Sequence, residues 1–227
     1  RFTSVLEIPE FLDHEYLVMV TKYGVIKRTP VTEYSYQRRG GKIAINLDEG
    51  DELISVLPTT GEENIFIATR NGMAVCFNQK DVRSMGRQAV GVRGIRLRGG
   101  DYVIGAGSSE QGDQFLAVTE TGNGKRTSLE EYAVKGRAGL GVKNYNCTDK
   151  TGLIADVKIV TGDEDLLVIT DDATIIRMAV DHISLLSRAT QGVRIMRLIE
   201  GSRVISIECT EKAVSEEEEP TPEEERI

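Results

Sequence analysis

Arginines and lysines return at a fixed beat along this chain of 227 residues, placed as a repeated unit would place a cation for a polyanion. Arg87, Arg137 and Arg188 each precede a glycine by four residues, and Arg38 and Arg39 stand just ahead of the equivalent Gly41. Lys42, Arg93, Lys143 and Arg194 follow those glycines within two residues. Lys27-Arg28, Lys125-Arg126 and Arg177 make a third set, earlier in each unit. Phosphate backbone, with one charge per about 1.7 Å of duplex axis, is neutralised by such cations whatever its base sequence. Contacts spread around a curved edge also bend a duplex, where one clustered patch only grips it. The plainer alternative is a set of solvated surface charges.

Other chemistry finds no constellation. None of the seven tyrosines (16, 23, 34, 36, 102, 132 and 145) has the setting of a nucleophile, and Tyr34 and Tyr132 are expected to pack against their own units. His14 and His182 stand far apart, without partners that would make a metal or acid–base pair. Gly122-Asn123-Gly124-Lys125-Arg126 has the look of a phosphate loop, but Arg126 stands where Ser or Thr is needed and no glycine lies five before Gly124. Cys76, Cys147 and Cys209 are an odd set without Cys-x-x-Cys spacing, read as buried reduced thiols. No catalytic residue and no metal site are expected.

The elements that must carry the cations repeat about every fifty residues. The marker glycines Gly41, Gly91, Gly141 and Gly192 each open a short basic and apolar run. Leu53-Ile54, Val103-Ile104, Leu153-Ile154 and Val204-Ile205 keep the same beat, as do Tyr16, Ile65, Phe115 and Leu166. Each copy holds four short segments of strand character; in the first they are 16–21, 25–29, 43–47 and 52–57, separated by turns such as Tyr23-Gly24. Four strands in about fifty residues is the content of one propeller blade. The longer links, 30–40 or 181–191, have room for a short helical turn.

With 40% hydrophobic content the chain can bury a core, and a propeller of this size reads as one domain. No apolar stretch approaches a membrane span, so a cytoplasmic, membrane-free protein is expected. From Glu208 to Ile227 nine carboxylates face Lys212 and Arg226, a balance of −7 within a chain total of −8, which leaves the repeat body near neutral. Residues 212–227 therefore read as a disordered acidic tail, and as a tethered polyanion they would compete for a basic rim. The chain opens on Arg1, inside a unit, since residues 2–6 align with residues 53–57 as a last strand. The expected layout is a partial blade over 1–14, units over about 15–63, 64–113, 114–164 and 165–211, and the tail, in a fragment of a longer protein.

Gln37-Arg38-Arg39-Gly40-Gly41-Lys42 resembles the Gln-Arg-Arg-Gly-Gly-Lys-Gly box of the DNA gyrase A C-terminal domain, with Ile43 in the seventh place. Asn123–Thr127 followed by Glu131-Tyr132, and Gly91–Leu97, are similar to later repeats of that domain. The resemblance implies an all-β β-pinwheel, a propeller whose four-stranded blades exchange strands, here the last four units of a six-bladed ring. It implies a non-catalytic domain that wraps duplex DNA around a basic rim and so supports negative supercoiling by a bacterial type IIA topoisomerase. The DNA-binding set is then Lys27, Arg28, Gln37, Arg38, Arg39, Gly40, Gly41, Lys42, Arg87, Arg93, Lys125, Arg126, Arg137, Lys143, Arg177, Arg188 and Arg194. The implied partners are double-stranded DNA, the rest of gyrase A, and gyrase B. No small-molecule substrate and no cofactor are expected in this part; ATP and Mg belong to other parts of the holoenzyme. The alternatives are the corresponding C-terminal domain of topoisomerase IV and a propeller that binds proteins or small ligands.

Overall fold

Each unit begins with a hairpin whose turn is set by one threonine and one residue of left-handed backbone. The computed structural model describes residues 3–36 and 39–212. In the first unit β1 (Tyr16–Thr21) and β2 (Val25–Pro30) are joined at Gly24, φ +81°, while Thr21 Oγ1 accepts from Val25 N at 3.2 Å. The same pair of devices joins β4 (Asn64–Thr69) to β5 (Met73–Asn78) at Gly72 and β8 (Gln114–Thr119) to β9 (Asn123–Ser128) at Gly122. Between β12 (Asp165–Thr170) and β13 (Ile175–Ala179) the left-handed place falls to Ala173, φ 65°. A 3-10 turn follows each hairpin, at Val31–Tyr34, Gln79–Asp81, Leu129–Glu131 and Val180–His182, where short helical turns were expected.

Each hairpin gains a third strand from its own unit, and the first three gain a fourth from the next. β3 (Leu53–Thr59), β7 (Val103–Ser108), β11 (Ile154–Val160) and β15 (Val204–Thr210) pair with β1, β4, β8 and β12. The fourth strands are two residues long: β6 (Val92–Arg93) joins β2, β10 (Val142–Lys143) joins β5, and β14 (Val193–Arg194) joins β9. The sheets therefore run β3-β1-β2-β6, β7-β4-β5-β10 and β11-β8-β9-β14, and the fourth is the three-stranded β13-β12-β15. This is an all-β, propeller-like arrangement of four small antiparallel sheets, with the strand exchange that the resemblance implies.

Two sequence expectations change. Segment 43–47 is no strand; it is the arm of the first unit and crosses to the second unit's loop, where Asn46 N donates to Ala89 O at 3.4 Å. The third unit's beat also slips by one residue. Thr119 pairs with Ile154, as Thr69 pairs with Val103, so Ile154 and not Leu153 is the equivalent of Leu53. The turn at Thr148–Thr151 matches those at 48–51, 98–101 and 199–202, and the extra residue, Gly152, follows it. Residues 3–14 contain no strand, and the tail expectation for 213–227 lies outside the described residues.

β3, β7, β11 and β15 touch in succession, so they form the inner end of the blades and β6, β10 and β14 the outer. The core lies between blades: Val18, Ile26, Ile67 and Phe77 join the first two, Phe66, Phe115, Tyr132 and Tyr145 the second and third, and Leu116, Val118, Val168 and Ile207 the last two. Close approach on the inner side needs glycine. A Cβ at Gly105 would stand 2.7 Å from Val157 Cγ2.

Candidate nucleic-acid interface

The outermost strand of each of the three four-stranded sheets carries one exposed cation, at the same place in three successive units. Arg93 ends β6, Lys143 ends β10 and Arg194 ends β14. The marker glycine two residues earlier makes this placement possible. Gly91, Gly141 and Gly192 have φ of +114°, +78° and +69°, and a Cβ there would come within 2.4–2.6 Å of Ile26 O, Ala74 O and Tyr145 Oη respectively. Only glycine lets the arm fold this tightly onto the preceding blade.

The recurrent arginines four residues before those glycines act first as tethers between units. Arg87 Nη1 donates to Ile43 O at 3.0 Å, Arg137 Nη1 to Arg93 O at 3.0 Å, and Arg188 Nη1 to Lys143 O at 2.6 Å. Each acceptor is the carbonyl two residues after the preceding unit's marker glycine. Two of the tethers thus fix Arg93 and Lys143 themselves, and the first fixes Ile43, next to Lys42. Arg137 adds a bond from Nε to Asp81 O at 3.0 Å.

Two members of the third set, Lys27 and Lys125, turn inward, and this corrects the expectation that these two meet phosphate. Both are fully buried: Lys125 lies in a sheet with a blade on each side, and Lys27 lies between the second unit's loop at Arg87 and its own unit's arm at Ala44. Lys27 Nζ donates to Ala44 O at 2.5 Å and to Arg87 O. Lys125 Nζ donates to Ser187 O at 2.8 Å, Arg188 O at 2.6 Å and Thr190 Oγ1 at 3.3 Å. Burial, with a nearby arginine, pushes both ammonium pKa values down to about 8. Arg126 donates from Nε to Ile183 O, from Nη1 to Gln114 Oε1 and from Nη2 to Asp181 O, which leaves little of its fork for a ligand. Arg28 lies over the Tyr16 ring at 4.6 Å. Arg177 is exposed but bonded to Asp165 Oδ2 at 2.7 Å and to Glu211 O at 3.0 Å.

Of the box, Gln37 and Arg38 lie outside the described residues. Arg39, Gly40 and Gly41 are exposed, and Lys42 sits 5.5 Å over the Tyr36 ring with Nζ 3.5 Å from Glu33 O. Sequence reasoning missed Arg83, Arg96, Arg98, Lys135 and Arg197, all exposed and without a side-chain bond among the described residues. Arg96 and Arg197 were findable, since they stand five residues after marker glycines. Arg194 and Arg197 line an open pocket of about 350 Å³ with Thr121 and Ser202. Among the described residues no cluster of His, Cys, Asp or Glu is arranged to hold a metal, and no helix is long and apolar enough to cross a membrane. Cys76, Cys147 and Cys209 are free thiols.

Known proteins share both the sequence pattern and the fold. The model of the DNA gyrase C-terminal domain, beta-propeller, matches four times, over residues 15–60, 63–110, 113–161 and 164–211. DNA gyrase A of Staphylococcus epidermidis is 45% identical over 197 residues, which is 86% of this chain and 22% of that protein. That of Lawsonia intracellularis is 38% identical over 217 residues, 94% of this chain and 26% of that protein. The chain thus spans about a fifth to a quarter of the curated relatives it matches. A solved DNA gyrase A C-terminal domain superposes with a TM-score of 0.79 at 25% identity, covering 88% of this chain and 67% of that one. The C-terminal domain of DNA topoisomerase IV does so with 0.83 at 28%, covering 90% and 64%. Four consecutive matches over units that exchange strands and present a cation on each outer arm mean that this chain belongs to the DNA gyrase C-terminal domain, beta-propeller family.

Proposed function

We propose that this chain binds duplex DNA along its outer rim and bends it, as the non-catalytic wrapping part of a bacterial gyrase that supports negative supercoiling. The observation that carries the reading is the exposed cation on three successive outer strands, Arg93, Lys143 and Arg194. Arg83, Arg96, Arg98 and Arg197 supplement them. Duplex DNA, the rest of gyrase A and gyrase B are the partners in this reading, and the compartment is the cytoplasm. DNA breakage and the use of ATP and Mg fall to those other parts. The box-like segment contributes through Arg39 and Lys42, with Gln37 and Arg38 beside them.

The test is a salt titration of duplex binding. Log affinity falls against log salt with a slope of about −0.9 for each phosphate neutralised, and we expect on the order of four to eight phosphates. A slope near zero, or no binding at low salt, would sink the proposal in favour of a protein- or ligand-binding propeller. A second reading, the topoisomerase IV counterpart, is favoured by the TM-score of 0.83 to that domain. Joined to the remaining gyrase parts, the chain should restore negative supercoiling. Relaxation or decatenation without it would support the second reading.

A further inference from the structure

We infer that Lys27 and Lys125 are positioning residues for the DNA path: each grips the arginine loop of the following unit from inside, and that arginine fixes the arm that carries the rim cation. The inference rests on the DNA-wrapping reading and deepens it. At the junction of the third and fourth units, Lys125 Nζ holds the carbonyl of Arg188, while the Arg188 guanidinium reaches back to Lys143 O. The backbone of one arginine is thus held by the buried lysine, and its side chain holds the exposed arm of the lysine's own unit. At the first junction Lys27 holds Arg87 O in the same way, Arg87 holds Ile43 O, and Lys27 also grips the arm directly at Ala44 O.

The second junction is built differently. Val75 occupies the lysine's place, shown by the pairing of Val75 with Ile67 as Lys27 pairs with Met19 and Lys125 with Ala117. One loop bond is common to all three junctions, Met85 N to Arg28 O, Lys135 N to Cys76 O and Leu186 N to Arg126 O, and what the second adds is Ala138 N to Gly94 O and Arg137 Nε to Asp81 O. Strand-like bridges Arg28 to Ser84 and Arg126 to Leu185 occur at the lysine junctions, and Ile95 to Gly139 at the valine one. An apolar residue suffices to fill the position, so the ammonium is there for its donors. A charged donor buried among carbonyls holds a loop to a narrower range of positions than packing does. A bend depends on where successive cations sit relative to one another, whereas non-specific affinity depends on how many there are.

The experiment uses the full 227-residue chain and Lys125→Met, which keeps the volume and removes the donors. Hydrogen exchange without DNA should rise in peptides covering 186–192 and 142–146 by at least about tenfold, the ratio that losing one charge-assisted hydrogen bond gives. Energy transfer between the ends of a duplex of about 40 base pairs, well below the persistence length of about 150, should report a clearly smaller bend. Affinity at low salt should stay within about twofold and the salt slope should not change, since the ammonium meets no phosphate. Val18→Ala, in the core of the first two blades, serves as a control of similar instability and should keep the bend. If Lys125→Met does not fold, Arg188→Lys probes the relay from its exposed end and should loosen 142–146 alike. Unchanged exchange in both peptides would overturn the inference, as would a bend in Lys125→Met no smaller than in Val18→Ala, or a loss of bend accompanied by an equal loss of affinity. Failure of the unsubstituted chain to bind DNA would instead remove the wrapping reading, and the positioning role with it, a result distinct from failure of the pin.

Discussion

Replacing Gly141 and Gly41 by alanine, one at a time, separates two costs that the repeat imposes on the same position. Both glycines have left-handed backbone, φ +78° and +74°, so an L-residue costs about 1–2 kcal/mol at either site. Alanine also restricts the unfolded chain, which offsets roughly 0.4–1 kcal/mol of that. At Gly41 nothing among the described residues lies within 4 Å of the new Cβ, so the net loss should be about 1 kcal/mol or less. At Gly141 the Cβ would stand 2.5 Å from Ala74 O and 3.3 Å from Val75 Cγ1, inside a strand pairing that cannot shift without losing its ladder. Steric overlap adds about 1–3 kcal/mol, and weakening the pairing of Val142 with Ala74 and Lys143 with Met73 roughly 1 kcal/mol for each bond lost. The expected total for Gly141→Ala is about 3–5 kcal/mol. Urea unfolding of the two variants measures the difference directly. Losses equal to within about 1 kcal/mol, the scale of the backbone cost alone, would refute the claim that the third unit's arm is locked onto the second blade.

The remaining predictions concern charge. Arg93→Ala and Arg194→Ala should each reduce the salt slope of DNA binding by about 1, while Arg126→Ala leaves the slope in place and lowers stability instead. A slope lost with Arg126 and kept without Arg93 would reverse that assignment. Asp156 accepts from Ile207 N at 3.1 Å across the third and fourth blades, and burial pushes its pKa up to about 6 from an ordinary 3.8. The folded state therefore binds a proton that the unfolded state has released, and this group's contribution to stability grows as pH falls from about 6 towards 3.8. Asp156→Asn should flatten that part of the profile, and a profile unchanged by the substitution would exclude Asp156 as its source. Lys27 and Lys125, at about 8 when folded against an ordinary 10.5, act on the alkaline side: their contribution to stability rises with pH between those values. The thiols of Cys76 and Cys209, which burial pushes up to about 11, act against it, so replacing both lysines by methionine should make stability fall more steeply there.

The sequence by itself determined the period, the all-β content and the glycines. Each follows from local rules: short Val- and Ile-rich runs between turn residues make strands, and a backbone with positive φ selects glycine at 41, 91, 141 and 192 wherever the chain is placed. The exchange of strands was accessible through the family resemblance; periodicity alone assigns 43–47 to its own blade. Tertiary structure decided which cations face solvent. Strand β9 has a blade on each side, and the sheet of β2 has the second blade on one face and Ile8, Ala44 and Ile45 on the other. Alternation along either therefore carries no inside and outside, and Lys27 is buried while Arg93, on a two-residue edge strand, is exposed. Tertiary structure also decided the register of the third unit, where one added residue, Gly152, shifts Ile154 into Leu153's expected place. A one-residue slip reverses every side chain in a strand, and pairing with Thr119 settles it, through contacts between residues that the sequence keeps far apart.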